Sequence, residues 1–469
     1  MQDFRLLVGG SLIRTERQLV VVNPATAKPL ASCPRADEAL LDEAVAAAKA
    51  AFRLWSAMPW ADRSGWLLAL AERLEESRDR FAELMTLEQG KPLFLAQVEV
   101  AQSIGILRTF AAMRLEDEML RDTDRMRVLQ QRSPLGVVAA IVPWNFPLIL
   151  LMSKLAPALV SGNCIVVKPA PTTPLTTLLL GEICADLLPP GVVNIIVDDN
   201  DLGDRLTRHP DIAKIAFTGS TPTGRRVMES AAPGLKHLTL ELGGNDAALV
   251  LEDAPVRETA AALFNAAMVN SGQVCVAVKR AYVPDALYDD ICAELAALAE
   301  SAIVDDGLAA DVQFGPLQNK AQFDRVLDLI EDSRGSGKII AGGCAMDRPG
   351  YFVRPTIVRD LPDDARLVRE EQFGPVLPVL RYSDIDDAIA RINDSDFGLG
   401  ASVWARDIDK AVAIASRLEA GTVWINKHLD LQFEIPFRGS KQSGIGAEFG
   451  LEGLREYTQA RIVNIAKAA

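Results

Sequence analysis

Histidine and cysteine are scarce in this chain, three and six among 469 residues. None of Cys33, Cys164, Cys184, Cys275, Cys292 and Cys344 forms a C-x-x-C pair, so zinc-ligand spacing is absent and no metal site is expected. Scattered thiols of this kind indicate reduced cysteines and a cytoplasmic setting. Positive charge is also in deficit: 49 Lys and Arg stand against 63 Asp and Glu, for a net charge of −14. Such a chain is poorly suited to nucleic acid or an anionic membrane surface, and neither is expected as a partner. The N-terminal MQDFRLLVGGSLIR has no basic segment followed by a long apolar core, so no secretory signal is expected. The longest uncharged run, Ser133 to Ser153, is interrupted by Pro143, Asn145 and Pro147. It reads as a buried strand, a turn and a helix start rather than a membrane span.

What is present is ordinary globular material, 49% hydrophobic and 24% charged, too long for one core. Two or three domains are expected. Asp37 caps a helix that ends before Pro59, a second helix is expected over 61–88, and a third over 94–116. The polar, alternating segment 120–131 reads as a hairpin. From Gly136 the pattern becomes β-α-β: GVVAAIV, CIVVKP, VVNIIV and DIAKIAFTGS are apolar strands separated by helices. Strands buried on both faces and alternating with helices imply a doubly wound parallel sheet, with ligands at the strands' C-terminal ends. A second α/β series runs from ALVLEDA to GTVWIN, and RIVNIA is a final strand with no partner nearby in sequence.

Several motifs fall at such strand ends. LELGGND carries Glu241 and NSGQVC carries Cys275, 34 positions later. Together they offer a nucleophile and a general base, or else a buried thiol and a surface acid. GSTPTG (219–224) follows a strand and opens a helix, as either a phosphate cradle or a simple turn. It matches neither G-x-G-x-x-G nor the P-loop. Lys168 in VVKPAP is a ribose or phosphate donor or an exposed lysine. Asn145 in PWNFP is an oxyanion-hole amide or a turn-satisfying side chain. Glu371 in EEQFGPV is a sugar-hydroxyl acceptor or a solvated acid. Cys275 with His237 or His428 would make a thiol protease, but no protease signature surrounds Cys275.

PWNFP, VVKPA, FTGS-x-x-x-G, ELGGN, GQ-x-C, EEQFGPV and PF-x-GSKQSG occur in this order, from NPAT near the start to LREYTQ near the end. Together they resemble the NAD(P)-dependent aldehyde dehydrogenase superfamily. The resemblance implies that Cys275 attacks the aldehyde and that Asn145 and the Cys275 N–H hold the oxyanion. It implies that Glu241 activates the water that hydrolyses the thioester, as in a non-acylating member. Lys154 and Glu448 match a buried pair used for proton exit, with a structural salt bridge as the alternative. Trp144, Lys168, Phe217, Gly219, Ser220, Gly224, Glu371 and Phe373 match the cofactor-binding positions. Pro171 stands where many NAD-specific members carry an acid, so the cofactor is NAD or NADP, with NAD preferred. Arg438 replaces a usual glycine, Ser153 a bulky aromatic, and Val274 and Val276 flank the nucleophile.

The implied architecture is α/β: a Rossmann-like doubly wound cofactor domain (1–117 and 134–243), a second α/β catalytic domain (244–440), and a small β oligomerisation element (118–133 and 455–469). The implied assembly is a homodimer or homotetramer, and the substrate a small aldehyde. The rival readings are a thiol esterase-like hydrolase using Cys275 and a catalytically idle binding protein on the same fold.

Overall fold

The computed structural model describes residues 3–467. Residues 1 and 2 of the expected cofactor domain, and 468 and 469 of the expected C-terminal segment, lie outside them.

The apolar strands read from Gly136 onward assemble into an eight-stranded sheet. Its parallel centre runs Val193–Ile195, Cys164–Lys168, Val137–Ile141, Ile212–Thr218, His237–Glu241. Leu6–Val8 and Gly444–Ile445 pair antiparallel at its two margins. From Val137–Ile141 the chain first winds to one side, through Cys164–Lys168 and Val193–Ile195. It then returns to place Ile212–Thr218 on the other side. The order therefore reverses between Val137–Ile141 and Ile212–Thr218, and ligands bind beyond the strand ends at such a reversal. PWNFP leaves one of these two strands and GSTPTG the other. Burial of both faces explains the continuous Val, Ile and Ala runs: Val138, Ala139, Ala140, Ile165, Val166 and Val167 are inaccessible to solvent.

A second, seven-stranded sheet is parallel except at one edge. Its order is Lys338–Ala341, Thr356–Arg359, Val376–Tyr382, Val278–Pro284, Asp246–Val250, Gly400–Trp404, Thr422–Ile425. The chain passes from the first sheet to the second within Leu242–Asn245, directly after Glu241. Val278–Pro284, whose start carries Cys275 just upstream, lies in the second sheet.

RIVNIA finds its partner more than 300 residues upstream. Thr458–Ala466 pairs antiparallel with Met126–Pro134, from Thr458 opposite Pro134 to Ala466 opposite Met126, and Glu118–Asp122 completes a three-stranded sheet.

Two helical expectations are corrected. The helix expected over 61–88 is two, Trp60–Glu76 and Arg78–Gln89, with Ser77 outside helical geometry between them. The run Glu75–Arg80 has no apolar side chain to press against the core, so packing does not hold the helix continuous there. A helix not foreseen, Lys320–Ser333, is capped by the Asn319 side chain accepting from the Gln322 N–H at 2.9 Å. Among the described residues no helix is long and apolar enough to cross a membrane.

Candidate active site

The turn PWNFP carries an aromatic and an amide out of the strand Val137–Ile141 and into the helix Ile149–Val160. It is braced from below. Glu99, fully buried, accepts the Leu148 and Ile149 N–H groups at 2.9 and 3.2 Å, at the helix entry. Lys91 pairs with Glu99, donates to the Asn145 carbonyl at 2.9 Å, and lies 3.7 Å from the centre of the Phe146 ring. Asn270 donates to the same carbonyl at 3.1 Å. The Asn145 side-chain amide donates one hydrogen to the Gln273 carbonyl at 2.9 Å. That leaves its second hydrogen for the cleft it lines beside Cys275.

The segment preceding Cys275 is unusual backbone. Asn270, Ser271 and Gly272 are consecutively left-handed, with φ of 50°, 54° and 72°. Each non-glycine in that region costs on the order of 1–3 kcal/mol. The conformation is held by specific bonds: Ser271 Oγ to the Gly315 carbonyl at 2.7 Å, and Gln273 Nε2 to the Asn270 carbonyl at 2.9 Å. Gln273 Oε1 also accepts the Gln318 N–H at 2.8 Å. At Gly272 a Cβ would lie 2.1 Å from the Gly374 carbonyl oxygen, so only glycine fits.

Cys275 is half-buried, whereas Cys33, Cys164, Cys184 and Cys292 are fully buried packing thiols. Burial and the carboxylates of Glu371, Glu241 and Asp246 push the Cys275 thiol up to about 12, and Lys279 opposes them. Glu241 ends its strand opposite Thr218 on the neighbouring strand. It is 5% exposed, and its Oε1 has no hydrogen-bond partner among the described residues. Burial first, then the Glu448 carboxylate, hold its carboxyl well above the usual range against the pull of Lys154. Lys154 donates to Thr218 Oγ1 and Glu448 Oε1, both at 2.6 Å, in a buried ion pair.

The cofactor-binding candidates other than Gly224 line one groove at the strand reversal. A part of about 510 Å³ is walled by Trp144, Gly219, Ser220, Cys275, Glu371 and Phe373. A part of about 750 Å³ is walled by Lys168, Phe217, Asn200 and Arg226, and the two share Pro143, Trp144, Thr218, Gly219 and Ser220. Ser220 caps the helix Thr221–Ala231, whose N-terminus thus faces the groove and favours an anion. At Gly219 a Cβ would lie 2.6 Å from the Phe217 ring, so a side chain there would collide with the groove floor. Glu371 accepts the Gly244 N–H at 3.1 Å, and Phe373 meets Trp144 edge-on at 5.3 Å. Backbone donors, a helix N-terminus, a flat aromatic wall and a carboxylate at opposite ends suit a dinucleotide.

Gly224 does not wall the groove. It lies inside the helix, where a Cβ would come within 2.4 Å of Leu242, so its part is close packing. Lys168 is buried and ion-paired with Asp198 at 2.6 Å. Arg438 is half-exposed, is paired with Glu452, and does not wall the groove. Ser153 is buried with its hydroxyl turned to the Leu150 carbonyl at 3.0 Å. His428 commits its ring to the Val276 carbonyl at 2.8 Å and Ser402 Oγ at 3.0 Å, and His237 is exposed. Neither is placed as a base for Cys275. A separate cavity of about 650 Å³ is walled by Leu95, Phe264, Val269, Phe314, Trp404 and Leu429.

Sequence reading missed Lys91, Glu99, Asp198, Gln273 and Lys279. Lys91 stands in QGKP, just past the end of the helix expected over 61–88. For Glu99, Gln273 and Lys279 the signal was a charged or amide residue inside an otherwise apolar or motif-bearing stretch, and Asp198 opens an acidic run that carries no such signal.

The aldehyde dehydrogenase family model matches residues 13–463. Phenylacetaldehyde dehydrogenase of Pseudomonas fluorescens is 40% identical, over 98% of this chain and 96% of its own. Human retinaldehyde dehydrogenase 3 is 38% identical, over 96% of this chain and 90% of its own. The NAD+ complex structure of the Bacillus cereus aldehyde dehydrogenase superposes with a TM-score of 0.97 at 36% identity, covering 99% and 97% of the two chains.

Proposed function

The chain belongs to the aldehyde dehydrogenase family and oxidises aldehydes with reduction of NAD(P)+, and from that premise we propose how its residues divide the work. The observation that carries the reading is the buried, unpartnered carboxylate oxygen of Glu241 behind a cleft shared by Cys275 and Asn145. Cys275 Sγ attacks the aldehyde carbon. The Asn145 amide and the Cys275 N–H hold the oxygen as it becomes negative. When bound in the groove, NAD(P)+ supplies the hydride acceptor. Glu241 takes a proton from the water that hydrolyses the Cys275 thioester, giving the carboxylic acid, so the enzyme is non-acylating. Lys154 and Glu448 lie along the route by which that proton leaves Glu241.

In the groove, Trp144, Phe217 and Phe373 supply apolar walls, and the Ser220 helix end and Gly219 hold the pyrophosphate. Glu371 and Lys168 accept and donate to the two riboses. The Asp198 carboxylate balances the charge of Lys168, which leaves less attraction for a 2′-phosphate and supports NAD over NADP. The buried Val274 and Val276 that flank Cys275 support an uncharged, apolar aldehyde. The relative named for phenylacetaldehyde points the same way. We assign 1–117 and 134–243 to cofactor binding, 244–440 to catalysis, and the three-stranded sheet to association as a homodimer or homotetramer. The setting is the cytoplasm.

The test is turnover of an aldehyde panel with NAD+ and NADP+, followed by absorbance of the reduced cofactor. Apolar aldehydes should be oxidised and Cys275→Ala should be inactive; activity retained in that variant removes Cys275 as nucleophile. Glu241 must be deprotonated to accept the proton of water. Because its carboxyl is held above the usual range, kcat should fall as pH is lowered through that raised value. In Glu241→Gln that acid limb should vanish while a burst of reduced cofactor remains.

A further inference from the structure

Lys279 stands at the start of the strand Val278–Pro284, four residues after Cys275, and is 1% exposed. A buried ammonium is costly unless it is bonded and compensated. Here its partners are two carbonyls of the nucleophile segment: Val274 at 2.7 Å and Gly272 at 3.2 Å. It also lies 4.9 Å from the centre of the Phe373 ring. No carboxylate lies within ion-pairing distance of it among the described residues, although Glu371 and Asp246 act on it from further off. Burial lowers the Lys279 ammonium below its usual range while Glu371, Cys275 and Asp246 pull the other way, and the charge it carries when protonated rests against the backbone next to the nucleophile.

The carbonyl of Val274 and the N–H of Cys275 are the two ends of one peptide group. A cation bonded to the oxygen draws charge from the nitrogen and strengthens the N–H as a donor. That N–H finds no acceptor among the described residues and is the backbone donor assigned to the oxyanion. We propose that Lys279 is a positioning residue that polarises and fixes the 274–275 peptide, and so tunes both the oxyanion donor and the Cys275 thiolate. The inference rests on the reading of Cys275 as nucleophile. The charged groups acting on Cys275 are Glu371, Glu241, Asp246 and Lys279, and only Lys279 is positive. It is the one group of the set that favours the thiolate over the thiol.

The experiment uses the full-length enzyme and three variants: Lys279→Gln, which keeps a donor but loses the charge, Lys279→Met, which loses both, and Lys279→Arg, which keeps both. Two readouts are taken across pH: the rate of Cys275 alkylation by iodoacetamide, and the burst of reduced cofactor with phenylacetaldehyde and NAD+. The alkylation profile should move to higher pH by about one unit in Lys279→Gln and further in Lys279→Met. The burst rate should fall at least tenfold in both, with NAD+ binding and melting temperature near those of the parent, and Lys279→Arg should restore much of each. Unchanged alkylation profiles and bursts within twofold in Lys279→Gln would overturn the inference. If Lys279→Met does not fold, Lys279→Gln alone decides. If the parent itself shows no Cys275-dependent burst, the nucleophile reading fails, an outcome distinct from failure of the Lys279 inference.

Discussion

At the scale of single residues, charge placement decides what the site can do. Asp198 shows this best. It sits in the loop after Val193–Ile195, fully buried, and holds Lys168 at 2.6 Å. A lysine so engaged has its charge balanced before a second phosphate could approach. In Asp198→Asn that charge becomes available, and the dissociation constant for NADP should fall relative to that for NAD by about tenfold, the equivalent of 1.4 kcal/mol. Titration of intrinsic fluorescence with each cofactor reads this without turnover, and an unchanged ratio would show that Asp198 does not set the preference. The motif residues Cys275, Glu241, Asn145 and Glu371 were legible in the sequence because each lies in or beside a short Gly- or Pro-marked segment bordering a strand. Asp198, Lys279 and Lys91 were not, because their meaning lies in what faces them. Lys168 ends one strand and Asp198, 30 positions later, lies in the loop after the next.

At the scale of elements, the turn that carries Asn145 depends on helix Leu93–Ala112, which carries Glu99, and on the Lys91 that precedes it. Glu99→Ala removes the partner of a buried cation and the one carboxylate oxygen that accepts two backbone N–H groups. A loss of about 3–5 kcal/mol is expected, seen as a large drop in melting temperature. The double variant Lys91→Met/Glu99→Leu removes both charges and should regain part of that stability. Its kcat/KM should nevertheless stay about a hundredfold low, since the Asn145 carbonyl loses its anchor and small misplacements are expensive in rate. Recovery of kcat/KM together with stability would show that the pair is only structural. Element type was legible wherever the apolar period was clean, as in GVVAAIV and the Asp37-capped helix. It failed at Ser77, where charged residues keep helix propensity but supply nothing to pack. It also failed at Lys320–Ser333, whose apolar face of Val326, Leu329 and Ile330 is short and lies between polar residues.

At the scale of the whole molecule, the three-stranded sheet is the part least like an ordinary surface. Met119, Leu120, Ile462 and Ile465 are exposed on it, and Thr458–Ala466 is a nine-residue strand at its margin. A long, apolar, unpaired edge invites another chain. Ile462→Lys with Ile465→Lys should lower the molar mass in light scattering to that of a smaller species, with secondary structure retained by circular dichroism. An unchanged mass would move the association surface elsewhere. Local pattern indicated the hairpin and the final strand of this sheet but not their pairing, because contacts that close over 300 residues leave no local trace; only the family resemblance put them in one element.

The handover from one sheet to the other within Leu242–Asn245 also bears on how the enzyme comes to life. Glu241 belongs to the first sheet, while Cys275 precedes a strand of the second. Neither sheet alone holds both groups, so each can reach native secondary structure while the chain is still inert. On refolding, the return of circular dichroism should therefore precede the return of turnover, with the docking of the two sheets as the last event. Activity in this chain is a property of the docked pair of sheets, and it dates the moment they meet.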